Sequence, residues 1–188
     1  MPRRKGALGF LALISAFPPL STVLYLPALP QMVEVFDTSQ TSVNMTLSMF
    51  FLFYSVGLLF WGPLSEKFGR KPILLSGLTI YVIASVFCGL SQYVEHLIAG
   101  RIIQALGGSA ATVVATAIVK DLYSGREREK VMATIMSMVI IAPMVAPVLG
   151  ALLLKYTSWR TIFFMLAAIG TIALLRGMFF RETLSGKF

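Results

Sequence analysis

Few residues of this 188-residue sequence could do chemistry, and most of those stand in apolar surroundings. Arg101 lies in Leu97-Ile98-Ala99-Gly100-Arg101-Ile102-Ile103-Gln104-Ala105-Leu106-Gly107-Gly108, a run otherwise suited to a lipid core. An arginine inside a membrane helix is costly unless it snorkels, pairs or faces water. Gln104 and Gly108, three and seven residues on, share its helical face. The pattern points either to a cavity-facing polar stripe or to an arginine snorkelling to the nearer surface. Asn44, Ser48 and Ser55 form a second stripe, which lines a cavity or consists of serines bonding their own backbone. Catalysis finds little support. Ser109 follows Gly107-Gly108, but an intramembrane serine hydrolase needs a nearby histidine, and the only one, His96, falls at an outer loop. One cysteine (Cys88) and one histidine make neither an internal disulfide nor a metal-ligand set. Phosphate-binding loops and catalytic dyads are absent, so no enzyme activity, metal or cofactor is expected.

The elements that must position these residues are membrane helices. Hydrophobic residues make up 57% of the chain and charged residues 13%, against nearer a half and a quarter for a soluble domain. Mean hydropathy is +0.82. A helix needs about 20 apolar residues to cross a bilayer core, and six windows qualify: about 6–28, 42–64, 73–92, 97–119, 131–154 and 160–180. Runs of this length without dyad alternation choose helices over a barrel. The basic N-terminal segment followed by an apolar run reads as a first span rather than a signal peptide, because the run is long and no small-residue cleavage site follows.

The net charge of +8 reflects topology rather than nucleic-acid binding. Arg3, Arg4, Lys5, Lys67, Arg70, Lys71, Lys120, Arg126, Arg128, Lys130, Arg176, Arg181 and Lys187 gather at one set of helix ends. Lys155 and Arg160 lie at the other. The excess of cations predicts that both termini are cytoplasmic, in a multi-pass protein of a bacterial cytoplasmic membrane. All eight acids (Glu34, Asp37, Glu66, Glu95, Asp121, Glu127, Glu129 and Glu182) fall in loops or at helix ends.

Between the second and third windows stands Gly62-Pro63-Leu64-Ser65-Glu66-Lys67-Phe68-Gly69-Arg70-Lys71, read as a short cytoplasmic turn in which Glu66 caps a helix end. The run resembles the loop between helices 2 and 3 of the major facilitator superfamily, G-x-L-a-D-r-x-G-r-k. Gly62, Leu64, Gly69, Arg70 and Lys71 match, and Glu66 replaces the usual Asp. The Arg101 segment resembles that superfamily's helix-4 signature, l-x-x-x-R-x-x-q-G-x-g, with Ala105 in place of a glycine. Ala142-Pro143-Met144-Val145-Ala146-Pro147-Val148-Leu149-Gly150-Ala151 resembles the antiporter signature g-x-x-x-G-P-x-x-G-G, whose prolines imply a bend or pivot. Tyr25-Leu26-Pro27-Ala28-Leu29-Pro30 is similar to the end of helix 1 in drug:proton antiporters of the bicyclomycin/chloramphenicol-resistance type. There an acid usually precedes the tyrosine; here that position is Val23.

The resemblance implies an all-α membrane fold, six helices built as two inverted three-helix repeats, forming the N-terminal half of a major facilitator. It implies transport of small amphiphilic molecules by alternating access, with Tyr25, Asn44, Ser48, Arg101 and Gln104 in the substrate cavity. Gly62, Glu66, Gly69, Arg70, Lys71, Asp121, Arg126, Pro143, Pro147 and Gly150 would take conformational roles, Asp121 and Arg126 joining the charge network at the 62–71 turn. With Val23 at the acid position, proton coupling is expected to be lost or crippled. A single half would leave Arg101, Gln104 and the stripe of the second helix facing lipid, so the partner is expected to be a second copy of the chain or a missing C-terminal half. The alternative is a non-transporting half, a fragment or an engineered assembly, that folds and dimerises.

Overall fold

The structure, a computed structural model, describes residues 2–183, with side chains from residue 7 onward. Lys187 lies outside the described residues, as do the side chains of Arg3, Arg4 and Lys5. The described chain is helical throughout, and six segments are long and apolar enough to cross a membrane. The first, Ala7–Val35, is assembled from α1 (Pro2–Ser15), α2 (Phe17–Val23), a 3-10 turn (Leu26–Ala28) and α3 (Leu29–Val35). The others are single helices: α4 (Gln40–Phe68), α5 (Arg70–Leu90), α6 (Val94–Leu122), α7 (Gly125–Tyr156) and α8 (Trp159–Phe179).

Proline segments the first span. Pro18 and Pro19, Pro27 and Pro30 each sit in the opening turn of a new helical piece, where the missing N–H would have had no intrahelical partner. Backbone bonds still bridge the joints, Leu20 N–H to Ala16 O at 3.0 Å and Ala28 N–H to Tyr25 O at 2.9 Å. The span is therefore a chain of short helices and not the single bent helix expected to end near residue 28.

The turn expected over 62–71 is almost wholly helical. α4 runs through Pro63 to Phe68 and α5 starts at Arg70, leaving Gly69 alone between them. Its φ of +100° lies where an L side chain is strained, so one glycine makes the whole reversal. The other connections are also short, and every span except the first is a continuous helix.

α6 sits at the centre, packed against α4 on one side and α5 on the other, while α8 covers α5. α7 lies outermost against α1, α2 and the 3-10 turn. The pairing has an exchanged symmetry: the second helix of the first triplet packs on the first of the second triplet, and the converse holds for α7 and the first span. Lipid provides no hydrophobic drive between helices, so close approach must supply the contact. At Gly107 a Cβ would fall 2.6 Å from Tyr81 N and 2.7 Å from Gly77 O. Trp61 adds a tie between α4 and α6, its Nε1–H donating to Leu106 O at 2.7 Å.

Gly107→Ala is expected to lower stability by about 2 kcal/mol, because the obstructing atoms are backbone and cannot rotate away. Gly9→Ala, where nothing lies within 4 Å of the added carbon, should be neutral or slightly stabilising. Reversible unfolding of both variants in mixed detergent micelles checks the difference.

Candidate functional site

Arg101 is the eighth residue of α6, which starts at Val94 rather than at 97. It is 0% exposed, as is Gln104. Neither faces lipid or an open cavity, and Arg101 does not snorkel: the face they share is turned inward. This corrects the expectation that a single half leaves them uncovered. The guanidinium lies 4.1 Å from the ring centroid of Phe50 on α4, 4.8 Å from that of Tyr25 and 5.9 Å from that of Phe163 on α8. Faces of aromatic rings attract a desolvated cation by roughly 2 kcal/mol each at best. Arg101 Nη1 donates to Gln104 Oε1 at 2.7 Å, and Gln104 Nε2 donates to Ser85 Oγ at 2.8 Å, reaching α5. Arg101 Nε and Nη2 are buried with no hydrogen-bond partner.

Neighbouring hydroxyls hold the first span against this centre. Tyr25 Oη bonds Thr46 Oγ1 on α4. Ser21 Oγ and Tyr81 Oη are 2.5 Å apart, and Phe17 stacks on Tyr81 with centroids 4.8 Å apart. Tyr25 is fully buried and so belongs to the wall of the arginine site, while Val23 is only half-buried. Asn44, Ser48 and Ser55 are exposed along α4. Ser55 Oγ donates to Phe51 O at 2.9 Å, the backbone-bonded alternative for that residue.

Two clefts open elsewhere on the bundle. One, of about 170 Å³, lies where α1, α2, α4, α6 and α7 converge; Pro18, Tyr54, Thr112, Met132 and Met136 are among its walls. Tyr54 Oη donates to Thr112 Oγ1 at 2.8 Å. A second, of about 320 Å³, continues between α4 and α6 and is lined by Gly62, Ser65, Glu66, Arg70, Thr116 and Lys120 among others. None of Tyr25, Asn44, Ser48, Arg101 or Gln104 lines either cleft. The wall residues of the first come from five segments, and only Pro18 of those named had a signal in the sequence.

At the basic end a clasp joins four helix termini, those of α4, α5, α6 and α8. Arg70 Nε donates to Asp121 Oδ2 at 3.1 Å, and Arg70 Nη1 donates to Ser65 Oγ at 2.7 Å. The N-terminus of α5 is capped from after α8: Glu182 accepts from Arg70 N–H at 3.0 Å and Lys71 N–H at 2.9 Å. Lys71 Nζ donates to Met178 O at 2.7 Å. Glu182 thus takes the capping place expected of Glu66, which is exposed in the last turn of α4. A carboxylate is favoured at a helix N-terminus and disfavoured at a C-terminus, so the exchange follows the helix dipoles. Arg126 does not join the clasp. It is exposed on α7 and has no ion pair among the described residues.

On α7, Pro143 and Pro147 are half-buried inside a helix that continues to Tyr156. Ala146 and Gly150 are buried, and Gly150 lies so close to the Leu24 carbonyl that a Cβ there would overlap it. The small stripe therefore seats α7 on the broken part of the first span.

Residues 11–186 match the sequence model of the Major Facilitator Superfamily. A bicyclomycin resistance protein homolog of Haemophilus influenzae is 34% identical over 163 residues, 87% of this chain and 41% of that protein. A chloramphenicol resistance protein of Pseudomonas aeruginosa is 39% identical over 165 residues, covering 86% and 39%. The multidrug resistance protein MdtL of Escherichia coli is 32% identical over 161 residues, covering 86% and 41%. The crystal structure of a D-xylose-proton symporter superposes with a TM-score of 0.77 at 16% identity, covering 95% of this chain and 48% of the symporter. The chain thus spans under half the length of the proteins it matches, and its fold is half of theirs.

Replacing Glu182 with Gln keeps the shape of the cap and removes its charge. Amide hydrogen exchange at Arg70 and Lys71 should then speed up about three- to tenfold, the equivalent of about 0.6–1.4 kcal/mol at a helix N-terminus. Exchange in the middle of α5 should not change.

Proposed function

The chain belongs to the major facilitator superfamily, a family of transporters and not of enzymes, and we propose that it forms the N-terminal half of a multidrug-type efflux transporter in a bacterial cytoplasmic membrane. The observation that carries this reading is the alignment, over 86–87% of the chain, with proteins named for bicyclomycin, chloramphenicol and multidrug resistance. The first cleft supports it chemically. Its walls are mainly apolar, with methionines that repack around varied shapes and a Tyr54–Thr112 hydroxyl pair to orient a polar group. At about 170 Å³ it is roughly half the smallest usual volume of a drug-sized site, about 300 Å³. A second six-helix body facing it would supply the rest.

That body is a second copy of this chain. Outward faces of α4 and α7 carry Phe51, Leu52, Leu59, Met144 and Val148 in exposed positions, with Asn44 and Ser48 exposed among them. Pairing these faces around a two-fold axis gives the polar residues a shared cavity in place of lipid, where they are costly. Alternating access is rocking of one copy against the other. The basic end faces the cytoplasm under the cation bias, so the Arg70–Asp121–Glu182 clasp sits on the cytoplasmic side and resists opening there.

Proton coupling requires a titratable group within the transport path. Every acid of the chain lies at or beyond a helix end, and Val23 occupies the position at which related antiporters are expected to hold one. The chain therefore works as a facilitator or with crippled proton coupling.

Purified alone in lipid nanodiscs, the protein should have a native mass near twice 20.6 kDa. A clean monomer overturns the paired-copy arrangement. In proteoliposomes, dye flux by the native sequence should be independent of an imposed pH gradient, and Val23→Asp should make it gradient-dependent. Identical pH profiles for the two proteins would sink the assignment of position 23.

A further inference from the structure

Two prolines stand side by side where the first span breaks, and the break leaves a carbonyl unmatched. In a regular helix Ser15 O would receive the N–H four residues on, or three in a tighter turn. Those residues are Pro19 and Pro18, and neither has an N–H to give. The next donor along, Leu20 N–H, is committed to Ala16 O at 3.0 Å. Thr22 Oγ1 turns to the carbonyls of the prolines themselves, 2.9 Å from Pro18 O and 3.3 Å from Pro19 O. Ser15 O is thus left without a donor from its own segment. Freed backbone groups at membrane depth are tolerated where they line a cavity. Ser15, Pro18 and Pro19 all line the cleft of about 170 Å³. Ser15 and Pro19, four residues apart, share one face of the span.

The rest of the wall has the same hydrogen-bonding sense. Tyr54 Oη donates its proton to Thr112 Oγ1 at 2.8 Å, and Thr116 Oγ1 donates its own to Thr112 O at 3.1 Å. Both oxygens keep lone pairs and have no proton left to give. Met132, Met136 and aliphatic side chains make up the remainder, and no Lys, Arg, Asp or Glu among the described residues lines the cleft. A carboxylate entering it meets no cation, and an ammonium meets no counter-charge, so either pays its desolvation unaided. We propose that this cleft selects uncharged amphiphiles whose aromatic head carries an N–H or O–H donor, and that Ser15 O accepts the hydrogen bond. The inference rests on the transporter reading and names the substrate class of its cleft. An apolar cavity of about 150 Å³ holds a benzene ring. At about 170 Å³, with an open side, this one takes a head of one or two fused rings. A donor seated there supplies the N–H that Pro18 and Pro19 lack, so the ligand completes the backbone pairing of the broken span.

The test is equilibrium dialysis of radiolabelled indole and benzofuran against the full 188-residue chain in phosphatidylcholine nanodiscs, with empty nanodiscs as the blank. Both probes are uncharged and nearly equal in shape, and benzofuran has an oxygen where indole has its N–H. Indole should bind on the order of tenfold more tightly, the scale of one hydrogen bond to an otherwise unmet buried acceptor. Pro19→Ala returns an N–H in register with Ser15 O. It should weaken indole to the level of benzofuran and leave benzofuran unchanged, whereas a merely collapsed cleft would weaken both. Tyr54→Phe keeps the ring, removes the hydroxyl acceptor, and should leave the ratio as it was. Equal affinities for the two probes in the native sequence overturn the inference. So does a preference that survives Pro19→Ala, or one that vanishes in Tyr54→Phe. If Pro19→Ala fails to fold, the native ratio and Tyr54→Phe decide the matter. A chain that prefers indole and moves no dye defeats the transport reading alone. Equal binding of the probes by a chain that does move dye defeats only the acceptor assignment.

Discussion

A guanidinium buried among membrane helices, with no carboxylate partner among the described residues, is the constraint around which this bundle is arranged. Such a charge cannot face hydrocarbon at tolerable cost, and inside the bundle it needs partners from several directions. The partners come from four spans: Tyr25 from the first, Phe50 from α4, Gln104 beside it on α6 and Phe163 from α8. α5 contributes through Ser85, which holds Gln104 in place. Only α7 stands outside this set. The helix that carries the charge is also the one that α4 and α5 flank, so the energetic and geometric centres coincide.

That coincidence places a demand on packing. Side chains from four spans reach Arg101 only if the helix axes lie close together, and small residues make this possible. Gly107 meets the backbone of α5, and Gly100, one residue before Arg101, lies against Cys88 and Phe87. The Gly107 contact is backbone against backbone, so it fixes the spacing of α5 and α6 where it falls.

The sequence displayed the number of spans, the apolar lengths and the importance of the Gly69-Arg70-Lys71 reversal, because each depends on local composition. It misplaced what depends on distant residues. Snorkelling by Arg101 stood beside the cavity-facing reading because the helix start was set at 97. Val94, Glu95 and His96 continue the helix although they are not a lipid-core run, and those three residues move the arginine most of a turn deeper. Glu182 was read as part of the close of the last helix. Its role as cap of α5 rests on the chain ending of α8 lying beside the start of α5, a long-range fact. Glu66 drew attention by its place in a motif, yet its position in the last turn of α4 denies it a helix N-terminus to cap. Thr112 carried no signal, and its pairing with Tyr54 joins residues 58 apart in sequence.

α7 shows how the outer layer communicates with the centre. Its buried residues are Val131, Ile135, Ala146 and Gly150, so most of its length can shift against lipid at little cost. The contact that cannot give is Gly150 on the Leu24 carbonyl, where backbone meets backbone. Leu24 is followed by Tyr25, whose ring covers Arg101 and whose hydroxyl holds Thr46 on α4. α7 therefore bears on the joint between α2 and the 3-10 turn, which has short hydrogen-bonded pieces on either side. From there the aromatic wall of the buried charge is one residue away. The prolines that break the first span set this joint, so the seat of the outer helix and the wall of Arg101 fall on adjacent residues, Leu24 and Tyr25.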